Sequence, residues 1–414
     1  MRLLALLKHN ENIPYYLLAG GISKLGDILS GLAFLFLAYD LTGSELHTTG
    51  MAIAETLPYL LFGLIGGVLA DWLPKKKLLI YLGFMRIPFV FSIVCMHYFD
   101  MLTYGYLLMA SFLIQCIGCF FNPAHRSVLP AITKEGERMA ANSLNDTFVR
   151  GVTVLSPIVS VWLLTSVGVV HFFSIAALTY VISIFFISKI HISEYNVQSN
   201  KSVKGVFSAI IEFIIWIRAQ LTIKHLFMFT FMTVFFNTWA WEVGLLLALS
   251  EMSSSSEKIY SILQGIFGGI VIITNIIIPF LFKKLTLQHY MIGAFIWGIG
   301  ITYYGLLYDV KHFFIGCAIV GIGLPIAGLA RVYLLQSLVP KDKMGRAFSF
   351  NATLLYLSNT ISLALYGVLV LYISIQHLML YSGIMIIIVS LIGLIYKTVS
   401  IPKLGWRFIV NFLK

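Results

Sequence analysis

Charge is what this 414-residue sequence has least of: Asp, Glu, Lys and Arg together make up 11% of it. A soluble chain carries about 25%, so a fold bathed in water on all sides is excluded. Cysteine is scarce as well. The four, Cys95, Cys116, Cys119 and Cys317, all fall in apolar stretches. Cys116-x-x-Cys119 has no second ligand pair near it and reads as two small residues on one helix face, so no metal site is expected. There is no G-x-x-x-x-G-K-[ST] loop to cradle a nucleotide's phosphates, so ATP is not the evident energy source. A nucleophile elbow and a zinc-binding helix are missing too. No enzyme activity, catalytic residue or cofactor is expected.

What the chain has in quantity is hydrocarbon. Hydrophobic residues make up 59% of it, and the mean hydropathy is +0.92. Apolar runs cover 14–39, 49–71, 77–98, 103–129, 138–166, 170–190, 223–250, 259–282, 286–308, 312–339, 346–373 and 376–398. Each approaches or exceeds the roughly 20 residues a spanning helix needs. The runs are continuous rather than alternating, which favours helices over a barrel. The fold class is therefore all-α integral membrane, with twelve transmembrane helices.

Twelve spans put both termini on one side. The loops on that side carry nearly all the Lys and Arg, including Lys75, Lys76, Lys77, Arg126, Lys134, Arg138, Lys283, Lys284, Lys341, Lys343 and Arg346. The opposite loops hold only Lys258 and Lys311. Positive loops stay in the cytoplasm, so both termini are expected there and the protein in the cell inner membrane. The net charge of +11 and pI of about 9.3 follow from this asymmetry and from attraction to anionic lipid, not from nucleic-acid binding. Met1–Leu7 is too short for a signal peptide's apolar core, and no small-residue cleavage site precedes Lys8. The first span is expected to direct insertion.

The sequence echoes itself. Lys75-Lys76-Lys77 follows the second span, and Lys283-Lys284 follows the eighth, about 208 residues later. Leu129-Pro130, Lys134, Arg138 and Asn142 follow the fourth span, as Val339-Pro340, Lys343, Arg346 and Asn351 follow the tenth. A repeat of half the chain implies two pseudo-symmetric six-helix bundles around a central cavity, the architecture of alternating access. The expected organisation is an N-terminal bundle over 1–190, a cytoplasmic linker over 191–222, a C-terminal bundle over 223–398 and a cytoplasmic tail over 399–414. Within the linker, Val203–Gln220 is sparsely charged and is expected to lie as a helix in the membrane interface.

Gly66-Gly67-Val68-Leu69-Ala70-Asp71-Trp72-Leu73-Pro74-Lys75-Lys76-Lys77 resembles the loop motif between helices two and three of the major facilitator superfamily. Ser23-Lys24-Leu25-Gly26-Asp27, Leu41-Thr42-Gly43-Ser44, Phe121-Asn122-Pro123-Ala124 and Ala141-Asn142-Ser143-Leu144 are similar to its macrolide-efflux and enterobactin-exporter branch. Gly67 is then expected to allow close helix approach. Asp71 is expected to bond another helix terminus across the two bundles in one gating state, with Lys75 and Lys76 beside it. Trp72 and Pro74 stand where the family usually has Arg and Gly. Arg150-Gly151 and Ser156-Pro157-Ile158-Val159-Ser160 match the family's antiporter motif with serines for two glycines; Pro157 keeps the conformational role. The resemblance implies a secondary active transporter that exports an amphipathic drug, macrolide-like compound or siderophore by proton antiport and alternating access, acting as a monomer. Uptake or flipping of a lipid-like metabolite is the alternative on the same fold. A membrane-embedded enzyme or receptor is the alternative of another class.

Charges inside hydrocarbon cost about 2.5–3.5 kcal/mol each on insertion scales, so each calls for a role. Asp27 lies roughly 20 Å along the first span and Arg150 roughly 18 Å into the fifth, both near midplane. Glu55 and Glu242 lie about 10 and 12 Å from the outer ends of their spans. Arg331 occupies the inner third of span ten. A carboxylate enclosed by apolar surroundings can exchange a proton near neutral pH, which makes Asp27, Glu55 and Glu242 candidates for substrate or proton binding. The structural alternative pairs Lys24 with Asp27 one turn apart, and Asp146 with Arg150. Histidines fall at helix ends or loops, leaving coupling to carboxylates. Among the 32 Phe, 21 Tyr and 7 Trp, Trp239 and Tyr356 are candidate cavity linings for a bulky amphipathic ligand.

Overall fold

The computed structural model describes residues 2–192, 202–253, 255–282 and 284–399. Every regular element among them is helical. The long helices are α2 (Asn12–Thr42), α3 (Glu45–Trp72), α4 (Lys75–Tyr98), α5 (Tyr104–Ile132), α6 (Arg138–Ser166), α7 (His171–Lys189), α9 (Leu221–Trp239), α11 (Ser256–Leu281), α12 (Leu287–Leu306), α13 (Val310–Leu338), α14 (Met344–Leu369) and α15 (Ile375–Val399). Short α1 (Arg2–His9), α8 (Val203–Ala219) and α10 (Leu245–Met252) complete the set, and α9 runs into α10 through a π-helical turn, Ala240–Gly244. Among the described residues, eleven helical stretches are long and apolar enough to cross a membrane. All-α membrane architecture is thus the observed fold.

Helix α12 is not among those eleven. Tyrosines and glycines dilute its apolar content, and the same residues let it pack closely. A methyl group on Gly293 would meet the Ala327 amide nitrogen at 2.5 Å, and one on Gly300 would meet the Gly316 carbonyl at 2.6 Å. Small residues substitute for lipid-facing bulk where helices touch backbone to backbone.

The chain divides into two compact units. The first holds the chain up to Lys224, together with Asn275–Lys283 and Val332–Leu357. The second holds His225–Thr274, Lys284–Arg331 and the chain from Ser358 onward. Helices α11, α13 and α14 therefore each contribute one end to either unit. The sequence-based organisation into 1–190, 191–222, 223–398 and 399–414 remains a proposal about chain halves. Of it, 193–201 and 400–414 lie outside the described residues.

In the first unit, Leu29, Phe34, Val90, Leu107, Phe172 and Phe173 form a buried core at one end, and Ile13, Tyr16, Leu79, Phe121 and Val128 another. The second unit closes around Trp239, Leu263, Trp297, Tyr304, Phe313 and Tyr366.

A buried charge cluster and a helix-end latch

Two polar constellations interrupt the apolar interior of the first unit. In one, Asp27 of α2 meets Arg86 of α4 and Tyr180 of α7. Arg86 Nη1 and the Tyr180 hydroxyl both donate to Asp27 Oδ1, at 3.2 and 2.9 Å. The Arg86 side chain is 3% exposed and that of Asp27 30%. The guanidinium also lies 4.9 Å from the Phe121 ring centroid and 5.3 Å from that of Tyr180. Such cation–π contacts offset part of the cost of burying a charge. One carboxylate oxygen is thereby held in place while the group keeps an accessible edge.

The neighbouring face of α3 carries Glu55 and, one turn on, Tyr59. Glu55 lies over Gly31, one turn beyond Asp27, where an added methyl would come within 3.6 Å of Oε1. That oxygen is buried and accepts no hydrogen bond. Asn122 donates to the Tyr59 hydroxyl at 2.8 Å, and the Tyr59 ring stacks on Tyr356 at 4.5 Å.

The second constellation is at the helix ends. Asp71 sits in the last turn of α3, where the dipole of its own helix disfavours an anion. It faces the first turn of α14, whose amides have no partners within that helix. The Gly345 and Arg346 amides donate to its two oxygens at 2.5 and 3.1 Å, and Arg346 Nε adds a bond at 3.0 Å. The remaining guanidinium nitrogens donate to the carbonyls of Ala209 on α8 and Asp342, at 3.1 and 2.8 Å. Glycine makes the approach possible: a methyl on Gly67 would meet the Ser349 Cβ at 2.5 Å and the Arg346 Cα at 2.8 Å. Ser349 also donates to the Gly63 carbonyl.

A related set joins α6 to α11 and α13. Arg138 Nη1 donates to the Gln336 carbonyl at 3.0 Å, and the Asn142 and Gln336 amides exchange bonds at 2.6 and 3.1 Å. Asn275 donates to Asp146 at 2.5 Å, and Ser143 donates to the Asn275 carbonyl. Two helix crossings are each made by a serine hydroxyl on a carbonyl, Ser349 on Gly63 and Ser143 on Asn275.

Two alternative pairings and two placements are corrected. Asp27 is paired with Arg86, not Lys24, which is exposed. Asp146 is held by Asn275, not by Arg150, which is half-buried. In both cases a partner from another helix can approach end-on, whereas a helical neighbour's long side chain must bend along the axis. Trp239 lines no open surface: it is 2% exposed and stacks on Tyr366 at 5.4 Å. His125 is not at a helix end but seven residues inside α5, stacked on Tyr16 at 4.4 Å.

The other candidates take these places. Glu242 is exposed on the π-helical turn near Tyr260. Arg331 lies near Tyr290, whose hydroxyl bonds Thr233. Lys75 opens α4, with Lys76 following, and both are partly buried. Pro157 is exposed on α6; the Ser156 hydroxyl donates to the Thr153 carbonyl at 2.9 Å, replacing the amide that proline lacks. Arg86, Tyr180 and Gln336 are the polar partners that sequence reading missed. Arg86 was detectable, being the one charged residue of α4 beyond its opening lysines.

Apolar spanning helices enclose the Asp27–Arg86 cluster, the Asp71–Arg346 pair clasps the ends of two of them, and the sequence family defines the chain as a membrane transporter. The chain belongs to the Major Facilitator Superfamily, whose sequence profile matches residues 16–361. It is 24% identical over 411 residues to macrolide efflux protein A of Streptococcus pyogenes, covering 93% of this chain and 96% of that one. Its fold is similar to a bacterial homologue of the iron transporter ferroportin in the outward-facing state, with a TM-score of 0.75, 14% identity and coverage of 94% and 99%. The Escherichia coli fucose:proton symporter gives 0.74 at 13% identity, covering 92% and 98%. The human organic anion transporter MFSD10 gives 0.74 at 9%, covering 92% and 99%.

Proposed function

We propose that this transporter exports an amphipathic small molecule, of the drug, macrolide or siderophore kind, in exchange for protons by alternating access. The observation that carries the coupling is the Asp27 cluster. Arg86 and Tyr180 fix one carboxylate oxygen and leave an edge of the group open, so a proton or a polar cargo group can compete for it. Protonation removes the charge that Arg86 pairs with, which gives the two states of the cluster different energies. Glu55, Glu242, Arg331 and Tyr356 are further binding candidates. Gly67, Asp71 and Arg346 act as the gate, with Lys75, Lys76 and Pro157 in supporting positions. Likeness to an efflux protein along almost the whole chain supports export. The Lys/Arg asymmetry supports cytoplasmic termini, and the protein is taken to act as a monomer in the inner membrane. Uptake is the competing direction, favoured by the shared fold of a proton symporter.

Everted vesicles with an imposed pH gradient test this with a fluorescent macrolide. The expected result is accumulation that collapses on adding an uncoupler. Asp27→Asn is expected to abolish gradient-driven accumulation. Leaving Arg86 unpaired costs up to about 3–5 kcal/mol, so Asp27→Asn/Arg86→Gln serves as the folded control and is also expected to be uncoupled. Wild-type accumulation in either variant rejects Asp27 as the proton carrier. Depletion from everted vesicles shows import.

A further inference from the structure

Helix α8 shows an unusual distribution of apolar surface. Ala209, Phe213 and Ile217 form its buried face. Phe213 meets Phe350 of α14 at 6.1 Å and stacks on Trp216. The remaining surface is mixed, with Lys204, Ser208, Glu212 and Arg218 exposed beside four large apolar residues. Val203, Phe207, Ile211 and Ile215 repeat every fourth residue, and each is 58–76% exposed. The stripe they form runs about 18 Å along the helix. Lys204 and Arg218 stand exposed near its two ends. At 17 residues the helix is too short to span a bilayer, yet its apolar stripe is too long to be left in water. A helix of this kind lies in the headgroup region, and cations beside the stripe match anionic lipid.

The same helix holds the latch. Its Ala209 carbonyl accepts from Arg346, and Glu212 accepts from Lys343 in the turn that precedes α14. Glu212 also lies 3.8 Å from Arg346.

We propose that the Val203–Phe207–Ile211–Ile215 stripe of α8 docks on the anionic lipid surface of the membrane, and that this docking holds the Asp71–Arg346 latch closed. Lipid contact fixes the helix, and the fixed helix keeps the Ala209 carbonyl and Glu212 in place for Arg346 and Lys343. Headgroup composition then sets how often the latch opens, independently of cargo identity or transport direction.

The test uses the full chain with its native cysteines replaced, in nanodiscs of phosphatidylcholine with or without phosphatidylglycerol. Spin labels are placed singly at Phe207, Ile211 and Glu212. Labels at 207 and 211 are expected to be relaxed more by lipid-soluble oxygen than by an aqueous nickel chelate. The label at 212 is expected to show less of this bias. Preference for the aqueous reagent at 207 and 211 overturns the docking. Shielding from both reagents also overturns it, because a protein segment then covers the stripe. The second arm measures the distance between labels at Lys76 and Lys341, either side of the latch. A larger long-distance population is expected without phosphatidylglycerol. A cation at an anionic surface contributes about fivefold to residence there, so Lys204→Gln should lower the closed-to-open ratio by up to that factor. Identical distances in both lipids, with Lys204→Gln unchanged, overturn the coupling to the latch.

Discussion

Asp71 is placed against the dipole of its own helix and in favour of another's. Its side chain is fully buried, and Arg346 nearly so, so neither charge has water as an alternative partner. Asp71→Asn keeps the acceptor for the Gly345 amide but leaves the guanidinium with only the exposed Glu212, 3.8 Å away, as a counter-charge, at a cost of up to about 3–5 kcal/mol. The expected outcome is a shift towards the open latch, read as growth of the long-distance population between labels at Lys76 and Lys341, with melting otherwise cooperative. An unchanged distribution would show that the ion pair does not hold the crossing. At this scale the sequence was only half informative. Gly67 and Asp71 stand in a contiguous motif, so their contact with another helix end was legible. Arg86 and Asp27 are 59 residues apart, and their pairing depends on how α2 and α4 are rotated, which no local pattern encodes.

Among the elements, α8 joins electrostatics to packing. The hydrogen bond from Lys343, helped by the charges of Lys343 and Arg346 and opposed by slight burial, holds the Glu212 carboxyl below its usual 4.5. A depressed folded value contributes stability above the unfolded value and loses it as pH falls through the folded one. The strap is therefore expected to be intact at neutral pH and to loosen below pH 4.5. The latch distances should broaden over that range in wild type, and Glu212→Gln should broaden less, keeping only the part due to protonation of Asp71 itself. A wild-type latch indifferent to acid would exclude Glu212 from it. Other elements were less readable. The π-helical turn beside Glu242 lies within a 32-residue apolar stretch. One extra residue per turn leaves no mark on a run that is hydrophobic all round.

For the molecule as a whole, the loop charges make a topological claim. Single cysteines replacing Lys76 and Lys341 should react with an impermeant maleimide only in everted vesicles. Cysteines replacing Lys258 and Lys311 should react only in right-side-out ones. Labelling of both groups from one side would defeat the proposed orientation. The type and approximate positions of the long helices were legible because hydrocarbon demands long apolar helices and little else satisfies it. The run at 14–39 became Asn12–Thr42 and that at 312–339 became Val310–Leu338. The division into compact units was not legible. It depends on polar bonds such as Asn142–Gln336 and Asp146–Asn275, which join residues far apart in the chain.

Helix α12 carries one more consequence, for biosynthesis. On leaving the ribosome it carries no Asp, Glu, Lys or Arg to oppose insertion, but its glycines have no neighbouring backbone to pack against. The Gly316 and Ala327 backbone that its glycines need is made only afterwards. Its close packing, rather than its insertion, therefore waits on α13, whose backbone its glycines require.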